Sequence, residues 1–312
     1  MLTALLRHEV DLSYSCKTGV CQTCMLRASK GEVPAYSQEG IKKTLRAQNY
    51  FLSCLCKVEH DMEVTSPNDA DLFSSATVRS KQLLTADICS VQLEIATPLF
   101  YHAGQFINLR KGRRLLRSYS LASLPQQDDY LEIHVRRLKN GKMSNWILDE
   151  MQVGDDIDIE GPMGHCFYAP ESIEQNLLLI GTGTGLSPLL GITRDAIYHG
   201  HKGEIHLYHG SHLEDGLYNQ QRLLEMQKNI VNFYYHPCVS GAVQQSDYAS
   251  GRACDVALKD HSKLQNWSVY LCGAPPMVNA TKKLAYLSGA RLEDIHADPF
   301  QLTDLRSQKR EK

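Results

Sequence analysis

Three cysteines near the N-terminus stand as Cys16-x4-Cys21-x2-Cys24, and a fourth, Cys54, follows after 29 intervening residues. The spacing C-x4-C-x2-C…C is the one that holds a plant-type [2Fe–2S] cluster. It forces the chain between the ligands into tight loops. Lys17-Thr18-Gly19-Val20 and Gln22-Thr23 supply small or flexible residues for them, with Gly19 expected at positive φ. A zinc site built from Cys21, Cys24, Cys54 and Cys56 is the rival. It leaves Cys16 idle, and its pairs are further apart than the usual ~15–20 residues. Buried free thiols are a weaker reading still, because three cysteines in this loop show no periodicity that would bury them together. A chain that moves single electrons is the expectation.

At 312 residues there is length for about two to three domains. The balance of 33 basic and 35 acidic residues, net charge -2, points to neither nucleic acid nor a membrane surface. Met1 to Leu6 is too short for a signal h-region and runs at once into Arg7, His8 and Glu9. No run approaches the ~18 apolar residues of a membrane span. Ten cysteines without an export signal fit a reducing compartment, so a soluble cytoplasmic protein is expected.

Three regions follow from the patterning. Residues 1–65 hold the cysteine loops and end in a strand-like stretch, Leu52 to Val58; the polar, proline-containing Asp61 to Asp71 reads as a linker. In 76–171 the strands Ser90–Ala96, Gln105–Leu109, Leu131–Arg137 and Asp156–Glu160 alternate with turn signals, which predicts a small antiparallel β-barrel. One helix is predicted there, Ser144–Met151, with Ser144 as N-cap. In 172–312 strands and helices alternate as in a doubly wound parallel α/β sheet, and Ser307–Lys312 reads as a polar tail.

Arg117-Ser118-Tyr119-Ser120 brings a cation, an aromatic ring and a hydroxyl out of one strand, and Gly141-Lys142-Met143-Ser144 opens a helix whose N-terminal amides could cradle phosphate. With the cysteine cluster before these motifs and a glycine-rich turn after them, the chain resembles the ferredoxin–NAD(P)H reductase family in its oxygenase-reductase form. Phenol hydroxylase reductase and benzoate dioxygenase reductase belong to that group. Ala103-Gly104-Gln105-Phe106, Gly161-Pro162-Met163-Gly164, Leu271-Cys272-Gly273-Ala274-Pro275-Pro276 and Ile295-His296-Ala297-Asp298-Pro299-Phe300 extend the resemblance over nearly the whole chain. It implies a β-grasp ferredoxin domain, an FAD-binding barrel and a nicotinamide-binding α/β domain. It further implies that Arg117 and Ser118 lie at the FAD site, with Arg117 on the pyrophosphate. Tyr119 would pack on the isoalloxazine, Ser120 would face its N5 edge, and Gly141, Met143 and Ser144 would surround the pyrophosphate. Members carry further residues ahead of the helix that opens here at Met1. The resemblance therefore implies that the first β-hairpin is missing, leaving an apolar face open at about 25 cal/mol per Å².

Gly181-Thr182-Gly183-Thr184-Gly185-Leu186-Ser187-Pro188 follows a strand and opens a helix, a turn suited to a dinucleotide pyrophosphate. Its spacing is G-x-G-x-G, unlike the common G-x-G-x-x-G fingerprint. By resemblance, Cys272 and Gly273 lie beside the nicotinamide and Phe300 shields the flavin; Ser120, Cys272 and Phe300 are the candidate catalytic residues. After the next strand, Gly210 to Asp215 offers no Arg or Lys for a 2′-phosphate, which favours NADH over NADPH, with Arg222 a little further on. NADH releases two electrons together and an iron–sulfur cluster accepts one at a time, so a flavin must stand between them. The expected activity is electron delivery to a partner oxygenase or hydroxylase. A reductase for a 3,4-unsaturated deoxysugar intermediate and a redox sensor are the alternatives.

Overall fold

Met25–Lys30 (β1) has its apolar residues at the start and a polar end, and it pairs antiparallel with both Tyr50–Leu52 (β2) and Glu63–Thr65 (β3) in the order β2-β1-β3. A computed structural model describes residues 1–10, 12–67, 72–96, 99–112, 115–243 and 247–301. Successive strand residues face opposite sides. Met25, Tyr50 and Leu52 therefore pack with Leu2 of helix α1 (Leu2–Arg7) and with Leu45 of α2 (Lys43–Arg46). Leu26, Ala28 and Phe51 form a second cluster under Met1, Leu5 and Leu12. All three are buried, so the face of the sheet they form is covered by α1 and the segment after it.

Two boundaries differ from expectation. The stretch read as a linker contains β3, an edge strand whose single inward residue, Val64, leaves Glu63 and Thr65 exposed, so its pattern looks polar. The rest of that stretch, Asn68 to Asp71, lies outside the described residues. The strand predicted over Leu52–Val58 stops at Leu52. There Ser53 donates from both its backbone N–H (3.1 Å) and its hydroxyl (2.8 Å) to the Cys24 carbonyl, turning the chain so that Cys54 comes back beside Cys24.

Six antiparallel strands follow: β4 (Ser74–Leu83), β5 (Ile88–Ile95), β6 (Phe106–Lys111), β7 (Leu115–Ser120), β8 (Leu131–Arg136) and β9 (Asp156–Met163). Their order is β7-β6-β9-β4-β5-β8, and the bridge Leu121↔Ile133 brings the two edges together as a barrel. Alternate residues such as Val91, Leu93, Ile107, Leu109 and Ile133 fill it. Helix α3 covers Lys142–Asp149, two residues earlier than predicted, with Gly141 and not Ser144 at the N-cap. Ser144 is already within the first turn, and its hydroxyl oxygen accepts the Leu138 N–H at 3.1 Å, closing the preceding loop. Lys81 Nζ donates to the carbonyls of Ile147, Leu148 and Met151 (3.1, 3.2 and 2.6 Å) and so caps the other end.

The last part is a parallel sheet of β10 (Asn176–Thr182), β11 (Ile205–Ser211), β12 (Phe233–Val239), β13 (Ala249–Ser250), β14 (Trp267–Gly273) and β15 (Ile295–Pro299). The order β13-β12-β11-β10-β14-β15 turns back between β10 and β14. That switch point opens a crevice at the carboxyl ends of the strands. Helices α4 (Leu186–Tyr198) and α5 (Gln220–Asn229) cover one face, and α6 (Ala253–Asp260) and α7 (Pro275–Leu287) the other. Leu177 and Leu179 accordingly point one way and Leu178 and Ile180 the other, all with no exposure. Helix α6 and strand β15 had no sequence signal: α6 is short, and β15 carries one buried apolar residue, Ile295. The predicted tail, Ser307–Lys312, is outside the described residues. Barrel and sheet are joined by the Arg194–Asp128 ion pair (2.6 and 2.9 Å) and by Ser187 Oγ, which donates to the Ser120 carbonyl at 2.9 Å.

Candidate functional site

The four candidate metal ligands form two pairs. Cys21 N–H donates to Cys16 Sγ at 3.3 Å, Cys16 N–H to Cys21 Sγ at 3.4 Å, and Thr18 N–H to Cys16 Sγ at 3.4 Å. The Cys24 thiol is hydrogen-bonded to that of Cys54, whose sulfur also accepts a backbone N–H from Gly19. Gly19 can deliver it because its φ is +84°, the positive value anticipated for the loop. The hydrogen bond from Cys21, reinforced by Thr18, draws the Cys16 thiol down to about 4, and the one from Cys24 draws Cys54 down to about 7. Cys21 and Cys24 are pushed up, first by donating to those sulfurs and then by burial. In each pair one sulfur accepts the hydrogen bonds and is thereby the more readily ionised.

Two cysteines per iron is the donor set a [2Fe–2S] cluster takes, and the residues fit it. The zinc alternative needs Cys56 beside Cys21, Cys24 and Cys54. Cys56 packs instead in the separate Leu26, Ala28 and Phe51 cluster, away from Cys24 and Cys54.

The cysteine loop opens onto a cleft of about 1780 Å³ that runs between the barrel and the carboxyl ends of the parallel strands. One pocket for a single ligand is typically about 300–1,000 Å³, so this one has room for two dinucleotides. Cys16 and Cys21 line it at one end. Arg117, Ser118, Tyr119 and Ser120 line its barrel wall, with Gly141, Met143 and Ser144 beyond them. Thr182, Gly183 and Thr184 line the opposite wall, with Gly273 and Phe300 near the centre.

Five of the sequence-predicted residues do not line the cleft: the candidate ligands Cys24 and Cys54, and Gly181, Gly185 and Cys272 behind its wall. Gly181 sits against Leu189, and Gly185 passes so close to the Cys272 carbonyl that no side chain fits there. That close approach lets α4 start directly over β14. Cys272 has no exposed surface; its sulfur lies 3.7 Å from that of Cys166, which does line the cleft.

Two cleft residues escaped the sequence reading. Asp298 was quoted only as part of the terminal segment, yet its carboxylate accepts the Ser120 hydroxyl at 2.7 Å, and burial pushes it up to about 6. Its neighbour Phe300 is tied to the cleft floor by its N–H, which donates to the Gly273 carbonyl at 2.8 Å. The second is Arg252, which lines the far end near Gly210 to Leu213 and is engaged by Asp255 at 2.6 and 3.1 Å; Arg222 does not line the cleft. No local motif marks Arg252, because the crossover from β12 to α6 brings it there. Among the described residues no helix is long and apolar enough to cross a membrane.

Comparison with known proteins matches three domain families in the order of the three parts. A 2Fe-2S iron-sulfur cluster binding domain covers residues 1–59, an oxidoreductase FAD-binding domain 75–168, and an oxidoreductase NAD-binding domain 179–283. The chain is 31% identical to the ferredoxin–NAD(P)+ reductase component of the naphthalene 1,2-dioxygenase/salicylate 5-hydroxylase systems of Ralstonia sp., over 96% of this chain and 93% of that one. It is 33% identical to the reductase subunit of an aromatic O-demethylase from Amycolatopsis sp., with the same coverage. Among solved structures, an Amycolatopsis cytochrome P450 reductase superposes with a TM-score of 0.74 at 33% identity, covering 95% of this chain and 92% of that one. A ferredoxin reductase in carbazole 1,9a-dioxygenase gives 0.69 at 25% identity, covering 96% and 92%.

Two outcomes are expected of the site. Cys54→Ser should lose its iron, whereas Cys56→Ser should keep about two irons per chain and the EPR signal of the reduced cluster, because Cys56 stands outside both pairs. For Asp298, the raised value means that the folded protein binds this proton more tightly than the unfolded chain does. The resulting stabilisation is complete below the ordinary carboxylate range and is lost as the pH rises through about 6. Asp298→Asn, which keeps an acceptor for Ser120 but cannot ionise, should therefore melt several degrees above the unsubstituted protein near pH 8. That advantage should shrink toward pH 5 in thermal scans.

Proposed function

The chain belongs to the ferredoxin–NAD(P)+ reductase family in its oxygenase-reductase form, and from that premise we propose that it draws electrons from NADH and delivers them one at a time to a partner oxygenase or hydroxylase. The observation that carries this reading is the shared cleft: two of the four candidate cluster ligands, Cys16 and Cys21, line the same cavity as the flavin residues Arg117 to Ser120 and the dinucleotide residues Thr182 to Thr184. When bound, FAD takes a hydride's two electrons together and the cluster accepts single electrons, which is the chemistry the cofactors supply.

The chain's own residues bind and orient. Residues 1–65 hold the cluster through Cys16, Cys21, Cys24 and Cys54. Residues 76–171 hold FAD, with Arg117 and the amides after Gly141 on its pyrophosphate, Tyr119 against its ring and Ser120 at its reactive edge. Residues 172–312 take the nicotinamide dinucleotide on the turn Thr182–Gly185 and the start of α4, where backbone donors and the helix dipole favour an anion. Asp298 fixes the Ser120 hydroxyl, and Phe300, held by its N–H to the Gly273 carbonyl, would shield the flavin. Cys272, beneath Gly273, shapes the floor under the nicotinamide. A reducing compartment such as the cytoplasm suits a chain whose ten cysteines are all free thiols.

NADH preference is supported by the far end of the cleft. Arg252 there is paired with Asp255, and a carboxylate at that position disfavours a 2′-phosphate while leaving a 2′-hydroxyl unopposed. The kcat/KM ratio with ferricyanide as acceptor should favour NADH. Asp255→Ala, which frees the Arg252 guanidinium, should raise the NADPH value by about tenfold.

A shortened chain starting at Ser75 tests the route itself. It should keep FAD and pass electrons from NADH to ferricyanide, because Arg117, Tyr119, Ser120 and the Gly181 turn remain. It should fail with cytochrome c. Cytochrome c reduction as fast as in the full chain would sink the assignment of the cluster as exit port.

A further inference from the structure

The cysteine loop and the barrel meet through one buried amide. Asn108 lies in β6, paired with Ser118 of β7, and has no solvent exposure. Its Oδ1 accepts the Ser118 hydroxyl at 2.7 Å. Its Nδ2 donates to Glu160 Oε2 at 2.8 Å and to the backbone carbonyl of Cys21 at 3.0 Å, with Met163 Sδ at 3.6 Å. Ser118 and Glu160 grip the amide from two sides, so its remaining N–H points in one direction, at Cys21.

The cost of burying an unpartnered amide is about 1–3 kcal/mol, and an apolar residue of similar size would fill the same space without it. The amide is accounted for by its partners, and one of them belongs to another part of the chain. A second, longer contact joins the same two parts, Lys42 Nζ to the Gly161 carbonyl at 3.5 Å, but it is exposed. Ser118 immediately precedes Tyr119 on the cleft wall, while Cys21 is a candidate iron ligand. A chain of two hydrogen bonds, Ser118 to Asn108 to Cys21, therefore spans the gap between the two cofactor sites.

We propose that Asn108 is a positioning residue that fixes the Cys16–Cys24 loop against β6 and β7 and thereby sets how fast an electron crosses from the flavin site to the cluster site. The step moves one electron: the reduced flavin loses it, one iron goes from ferric to ferrous, and no bond forms or breaks. The inference rests on the functional reading above and adds a residue that touches neither cofactor.

The test uses the full-length holoprotein with iron and flavin content measured. In Asn108→Ala the ratio of cytochrome c to ferricyanide reduction should fall by about tenfold. Amide hydrogens of residues 16–24 should exchange about fivefold faster, and the EPR g-values of the reduced cluster should shift. Should Asn108→Ala be recovered without iron, Ser118→Ala serves instead. It removes one of the two grips, and the same ratio, with each rate divided by the flavin and iron content measured for that variant, should fall about threefold. An iron-replete Asn108→Ala with both ratio and loop exchange as in the unsubstituted protein overturns the proposal. So does an unchanged ratio in Ser118→Ala where that variant stands in. Failure of the unsubstituted holoprotein to reduce cytochrome c through its cluster would strike the functional reading, and loop exchange in Asn108→Ala would still decide the latch.

Discussion

The candidate flavin and dinucleotide contacts depend on the barrel and the parallel sheet facing each other at a fixed distance, and the Arg194–Asp128 ion pair helps to pin them. The guanidinium comes from α4, the carboxylate from the loop after β7, and both side chains are largely buried. A pair of this kind adds little net stability over an apolar contact, but losing one partner strands a buried charge at about 3–5 kcal/mol. Its value is therefore geometric: the two walls cannot slide without breaking it. Ser187, at the start of the same helix, adds a hydrogen bond to the Ser120 carbonyl, so the turn that takes a dinucleotide is registered against the strand that takes the flavin.

The same economy shapes the cluster end. The four cysteines are split into two hydrogen-bonded pairs with backbone N–H groups aimed at their sulfurs, and this arrangement suits two metal ions sharing a core better than one tetrahedral ion. The loop is organised from outside as much as from within. Ser53 holds the Cys24 carbonyl on one side, and Asn108 holds the Cys21 carbonyl on the other.

What the sequence made legible was whatever the chemistry writes locally. The cysteine spacing, the Arg117–Ser120 strand and the Gly181–Gly185 turn are short, contiguous signals, and the parallel α/β rhythm follows from runs such as Leu177 to Ile180 that are buried on both faces. Elements whose pattern is set by neighbours were not legible. Strand β3 reads as a linker because only Val64 turns inward, and β15 carries no apolar alternation because Ile295 is its one buried residue while Ala297, Asp298 and Pro299 line the cleft. Helix α3 was placed late because Ser144 looks like a cap, whereas its hydroxyl closes the loop behind it. Asp298, Arg252 and Asn108 matter through partners 178, 3 and 87 positions away in sequence, and two of those three separations exceed any motif.

Strand β3 ends at Thr65 and β4 begins at Ser74, so the covalent tie between the cysteine-bearing part and the barrel is short, and the Asn108–Cys21 contact adds to it. Even fully stretched, such a tether reaches about 30 Å. The cluster therefore cannot travel far to meet an acceptor. It works as a fixed electrode at the edge of the flavin cleft, and the acceptor's affinity has to come from the surface around that edge, because the partner must do the diffusing.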